Sequence, residues 1–157
     1  MYKYKKSIVI AVVLFAALIS FYMLNYKSQA EAKSYAVSSW EGDYYLLARL
    51  VAGEAEGEPY EGQVAVAAVI LNRAKDPRFP PSVPDVVYEA HAFESVSNGL
   101  IWSRYPSRTN FDAARQAMNG WDPTYGCVFF WNPYKPVSSW IWSRPIVTQI
   151  GQHVFAK

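Results

Sequence analysis

The sequence predicts an α+β domain, a helical half followed by a small antiparallel β-sheet. Two observations carry that reading. Val64-Ala65-Val66-Ala67-Ala68-Val69-Ile70-Leu71 is apolar on every helical face, and such a helix belongs in the middle of a core. The later part of the chain changes character, with the strand-like run Cys127-Val128-Phe129-Phe130-Trp131 and two short apolar segments, 146–150 and 153–156, around Gly151-Gln152. Helices first and short strands last give segregated α and β parts.

The N-terminal residues are set aside first. Lys3, Lys5 and Lys6 precede residues 7–24, which carry no charge, and Ala30-Glu31-Ala32 follows. A basic head, an apolar run and a small-residue exit describe an export segment, with cleavage after Ala32. The run is longer than the usual core of a signal peptide and close to the shortest membrane span. Residues 1–32 are therefore read as a signal peptide or an N-terminal membrane anchor, residues 33–43 as a linker and residues 44–157 as the exported domain. Any membrane contact is expected through residues 7–24 alone. The chain carries a net charge of +2, but residues 1–34 hold five lysines and one glutamate, so the exported part is mildly acidic. Nothing in that balance suggests a nucleic-acid footprint. One cysteine, Cys127, rules out an intrachain disulfide, leaving packing to stabilise the domain.

Leu46, Leu47, Leu50 and Val51 have helical spacing over residues 44–52, with Asp43 placed as a cap. A second helix is expected over residues 63–74. Between them lies Gly53-Glu54-Ala55-Glu56-Gly57-Glu58-Pro59-Tyr60-Glu61-Gly62, with four carboxylates and three glycines. A proline-rich loop spans residues 75–84, and Pro84 suits the first turn of a short helix over residues 85–88. Residues 91–107 show no sustained period and read as a long loop. A third helix is expected over residues 111–119, opened by Thr109 or Asn110 and closed by Gly120. Trp140-Ile141-Trp142 reads as a short extended piece, and Gly151-Gln152 as a two-residue hairpin turn.

Glu54 is the candidate for chemistry. It ends the first helix, where exposed carbonyls carry partial negative charge. That field, the nearby Glu56 and Glu58, and burial against the second helix all favour the protonated acid, which suits a general acid. The bland alternative is a solvated helix end, which fits Glu56 and Glu61 better, and Glu58 could equally cap the second helix. All six tryptophans, at positions 40, 102, 121, 131, 140 and 142, lie beyond residue 32. Indole faces stack on sugar rings, although core packing accounts for at least half of them. In an extended segment, Trp140 and Trp142 would face the same side and form a sugar platform.

These residues, continued through Asn72-Arg73, Asp76-Pro77-Arg78-Phe79-Pro80, Ala113-Ala114-Arg115, Asn119-Gly120-Trp121-Asp122-Pro123, Phe130-Trp131-Asn132-Pro133, Trp140-Ile141-Trp142-Ser143-Arg144-Pro145 and Ile150-Gly151, resemble the spore cortex-lytic and cell-wall hydrolase family of SleB/CwlJ type. The likeness covers residues 46–155. It implies a lysozyme-like fold and a peptidoglycan-cleaving glycosidase related to lytic transglycosylases. Its single catalytic glutamate falls on Glu54, and Glu58, Phe93, Trp140 and Trp142 are the expected substrate contacts. The implied partner is the glycan strand of peptidoglycan, met by a monomer with no cofactor and no metal. Two positions depart from the family pattern: Glu56, where a basic residue is common, and Glu94 beside Phe93.

A hydrolase needs two carboxylates across the bond, whereas a lytic transglycosylase needs one. Glu94 and Asp122 are the candidates for a second. A Cys127/His153 endopeptidase is disfavoured because Cys127 opens an apolar strand. Zinc chemistry is poorer still, since His91 and His153 are the only histidines and have no ligand spacing. A different class altogether is a non-catalytic, membrane-tethered glycan-binding module.

Overall fold

The computed structural model describes the backbone of residues 2–157 and the side chains of residues 14–34 and 36–157. The chain divides into two compact units, residues 1–41 and residues 42–157. The first unit is helical, belonging to α1 (Tyr2–Glu54), and carries an exposed Lys27–Glu31 pair one turn apart. Part of the expected export segment lies outside the described side chains. Among the described residues, no helix is long and apolar enough to cross a membrane. The residues expected as a linker are helical, and Asp43 lies within α1 rather than capping its start. No proline interrupts residues 33–43, so nothing there breaks the backbone ladder.

In the second unit, the remaining helices are α2 (Tyr60–Arg73), α3 (Val83–Val87), α4 (Glu94–Ser97), α5 (Leu100–Ser103) and α6 (Arg108–Met118). The strands are β1 (Phe129–Trp131), β2 (Ile146–Ile150) and β3 (His153–Ala156), with a 3-10 turn at Ser139–Ser143 before β2. The α+β class and the helix-then-sheet order are as the sequence predicts. α2 is the central element: Gly62, every residue from Val64 to Ile70, and Arg73 are buried. It meets α6, α3, β1 and β2. Ala113, Ala114 and Ala117 are the buried face of α6, and alanines on both helices allow close approach. Leu47, Leu50 and Val51 of α1, Ile101 of α5 and Phe155 of β3 complete the same core. Each such fully buried aliphatic side chain contributes about 1.5–3 kcal/mol.

The sheet is antiparallel with order β1-β3-β2, pairing Phe130 with Phe155 and Ile150 with His153. Gly151, at φ +60°, opens the hairpin turn as expected. Three local expectations change. Residues 91–107 hold α4 and α5, each too short to show a helical period in the sequence. Trp140-Ile141-Trp142 is a 3-10 turn, not extended, so the two indoles do not share a side through strand alternation. They meet β1 instead: Trp140 packs on Phe129 at 5.7 Å and Trp142 on Trp131 at 5.5 Å, both edge to face. Finally, α6 begins earlier than expected. Ser107 Oγ accepts from Asn110 N–H at 3.3 Å, and Asn110 Oδ1 accepts from Ser107 N–H at 2.7 Å. Asn110 Nδ2 also donates to Gln63 Oε1 at 2.9 Å, tying this capping box to α2.

Replacing Ser107 with Ala removes one half of that reciprocal cap. The expected cost is about 1 kcal/mol, read as a lower urea midpoint with an unchanged slope.

Candidate active site

A cleft of about 400 Å³ opens beside the end of α1. Its lining includes Glu54, Glu56, Phe93, Glu94, Ser95, Arg104, Phe130, Trp131, Lys135 and His153. Glu54 is the last residue of α1, as the spacing predicts. Its Oε1 accepts the Ser95 N–H at 2.8 Å, and Oε2 has no hydrogen-bonding partner among the described residues. Ser95 is brought there by α4 and is 1% exposed. It packs against the α-carbon of Gly53 so closely that a Cβ on residue 53 would lie 2.5 Å from Ser95 Cβ. The glycine before the acid is thus fixed by packing.

Arg104, just beyond α5, braces the same helix end. Its Nη1 donates to Ala52 O at 3.1 Å, one of the carbonyls α1 leaves unpaired, and its Nη2 pairs with Glu56 Oε2. The charge that Glu56 was expected to press on Glu54 is therefore offset by Arg104. Neither Ser95 nor Arg104 was singled out from the sequence, because a segment without period gives no hint of which residues fold back onto a helix end.

Glu58 is the next residue expected to contact substrate. It is 7% exposed and is not among the residues that line the cleft. Its Oε2 accepts the Gln152 N–H at 2.9 Å, and a Cβ on residue 151 would lie 2.0 Å from that oxygen. Nor does it cap α2, whose N-cap is Pro59 without a side-chain bond. Glu58 instead fastens the β2–β3 turn to the α1–α2 junction. Its Oε1 lies 3.5 Å from His153 Nδ1, beyond a good hydrogen bond. Burial pushes the His153 pKa down, opposed by the Glu58 carboxylate and helped by Lys135.

Phe93 is buried and lines the cleft, stacking on Phe130 at 6.3 Å beneath the Arg73 guanidinium. Trp140 and Trp142 are half exposed, at 51% and 50%, and lie outside the cleft lining. Trp131 lines it and was not singled out. Of the two candidate second carboxylates, only Glu94 is in the cleft, exposed at the start of α4. Asp122 is occupied elsewhere. Its Oδ1 accepts from Thr124 N–H and Oγ1, and its Oδ2 from Asn72 Nδ2 and Gly126 N–H. Burial pushes its pKa up, but these hydrogen bonds outweigh burial and the net shift is down. Cys127 is fully buried, and burial followed by the Asp122 charge pushes its thiol up, which disfavours the reactive thiolate.

The site is thus a helix-end carboxylate held by one backbone N–H in an open cleft partly walled by Phe93, Phe130 and Trp131. Residues 57–156 match the family model described as Cell Wall Hydrolase, and the chain belongs to that family. The match begins just after Glu54. The chain is 49% identical over 117 residues to the spore cortex-lytic enzyme of Oceanobacillus iheyensis, covering 74% of this chain and 42% of the relative. It is 50% identical over 115 residues to that of Bacillus subtilis, covering 73% and 37% respectively. It therefore spans only about two fifths of these enzymes. Cell wall hydrolase CwlJ of B. subtilis is 30% identical, with 87% of its length covered. Among solved structures, the catalytic domain of the Bacillus cereus SleB protein superposes with a TM-score of 0.69 at 47% identity, covering 74% of this chain and 91% of that one. The catalytic domain of the germination-specific lytic transglycosylase SleB from Bacillus anthracis gives the same TM-score and identity, covering 73% and 93%.

Two outcomes are expected. Gly53→Ala should keep the fold at a cost of about 1–3 kcal/mol while displacing Ser95, so activity falls more than thermal stability does at the assay temperature. Asp122→Asn should remove an acid-sensitive contribution to stability. A carboxylate whose folded pKa is depressed stabilises above its unfolded value, about 3.9, and the stabilisation disappears as pH falls through the folded value. Denaturation curves between neutral and acidic pH should converge for parent and variant at the acid end.

Proposed function

We propose that this chain is a peptidoglycan-cleaving glycosidase that acts on the MurNAc–GlcNAc bond as a lytic transglycosylase, with Glu54 as its single acid and base. The observation that carries the reading is the asymmetry of the Glu54 carboxyl. With Oε1 accepting from Ser95 N–H, the acid proton belongs on Oε2. Oε2 protonates the glycosidic oxygen as the C1–O bond breaks and positive charge develops at C1. The C6 hydroxyl of the muramyl sugar then attacks C1, and its proton passes to the Glu54 carboxylate, which regenerates the acid. The products are a 1,6-anhydro-muramyl end and a free GlcNAc hydroxyl, with no water consumed. Phe93, by shaping the cleft wall, and the half-exposed Trp140 and Trp142, beyond it, serve the glycan strand. Glu58 serves as a positioning residue for the turn carrying Gln152.

The comparisons support the substrate class, since the similar solved catalytic domain from B. anthracis is described as a germination-specific lytic transglycosylase. A wall substrate requires delivery outside the cytoplasm, the role assigned to residues 1–32. A second reading is favoured by one observation: Glu94 lines the same cleft. If Glu94 activates water, the product is a reducing end and the reaction is hydrolysis.

Mass spectrometry of fragments released from purified peptidoglycan separates these readings. Anhydro ends are expected from the parent, and none from a folded Glu54→Gln protein. Reducing ends lost in Glu94→Gln would establish hydrolysis, and fragments from Glu54→Gln would show that another group is the acid.

A further inference from the structure

The cleft lining contains three arginine and lysine side chains, and two are committed to the protein. Arg73 Nε donates to Val128 O at 2.7 Å, and its guanidinium lies over Phe93 at 5.1 Å. Arg104 is held by Ala52 O and Glu56. Lys135 differs. It is exposed and lines the cleft, and its Nζ has neither a hydrogen bond nor an ion pair among the described residues. The carboxylates that share the lining, Glu54, Glu56 and Glu94, leave it unpaired.

The backbone that carries it is nevertheless held. Lys135 N–H donates to Asn132 O at 3.1 Å, and Tyr134 N–H donates to Asn132 Oδ1 at 2.9 Å. Asn132 Nδ2 in turn donates to Gln152 Oε1 at 3.2 Å, and prolines at 133 and 136 restrict the backbone on either side. A rigid turn therefore presents a solvated ammonium group to the cleft. Its charge reaches the floor, where it acts on His153.

We propose that Lys135 is a specificity residue that binds a carboxylate carried by the glycan strand on a muramyl sugar in the cleft. The inference rests on the glycosidase reading above. A muramyl sugar bears a lactyl ether at C3. Its carboxyl is an anion wherever it is left unsubstituted. Where a stem peptide is attached, that carboxyl is an amide and the peptide supplies carboxylates of its own. N-acetylglucosamine has neither, so one unpaired cation in the cleft distinguishes a peptidoglycan strand from a chitin-type strand of the same backbone.

The test measures binding, not turnover, with the full chain carrying Glu54→Gln and with the same chain also carrying Lys135→Met. The probes are chitohexaose, peptide-free glycan strands and peptide-bearing glycan strands, titrated at low and high salt. Lys135→Met should weaken binding of a carboxylate-bearing probe about fivefold, leave chitohexaose unchanged, and lose its effect at high salt. A loss on peptide-free strands assigns the lactyl carboxylate; a loss only on peptide-bearing strands assigns the stem peptide. Equal affinities for the two proteins on every probe, or an equal loss that includes chitohexaose, overturns the proposal while leaving the glycosidase reading intact. Failure of the Glu54→Gln protein to bind any of the three overturns the glycosidase reading itself, and the proposal with it.

Discussion

The burial of the middle of α2, Val64 to Ile70, is the constraint on which the second unit depends. A helix whose middle residues all avoid water needs apolar neighbours in every direction, and no single partner can supply them. α6 packs against it through alanines, and α3, β1 and β2 also meet it. The polar groups of α2 are confined to its ends, where they are put to use. Gln63 meets Asn110 at one end, and Asn72 and Arg73 reach Asp122, Cys127 O and Val128 O at the other. The short sheet and several of the helices are organised through this one element.

The cleft lies at the margin of α2, where Arg73 lines it, beside the end of α1. The acid there is set by groups far apart in sequence. Gly53 lets Ser95 approach, Ser95 fixes one carboxylate oxygen, and Arg104 closes a helix carbonyl while holding Glu56. Glu58 belongs to a neighbouring arrangement, in which the β2–β3 turn is drawn onto the α1–α2 junction. Two glutamates four residues apart thus face different tasks: one is open to the cleft, and the other is sealed beneath a hairpin.

The features legible in the sequence were those with a local cause. The uniform apolarity of Val64–Leu71 announced α2, Gly151-Gln152 announced the hairpin, and Glu54 was placed at its helix end by the spacing of Leu46, Leu47, Leu50 and Val51. What escaped was set by distant contacts or by elements below the length at which a period shows. α4 and α5 are four residues each, yet they deliver Ser95 and carry the chain to Arg104. The Trp140-Ile141-Trp142 alternation suggested a strand, but the segment closes into a 3-10 turn against the aromatic side chains of β1. Glu58 looked like one acid among four because nothing near it in sequence reveals that Gly151 will settle on its carboxylate.

The strand order β1-β3-β2 has a consequence for how the molecule comes into being. The middle strand, β3, is the latest of the three in sequence, so neither β1 nor β2 has a pairing partner until residues 153–156 have been synthesised. β3 also brings His153 to the cleft and Phe155 to the core. Contacts between such distant parts of a chain are slow to form. A ribosome that has reached only β2 has therefore made the acid but not the floor beneath it. The cleft is finished only once residues 153–156 have joined the sheet.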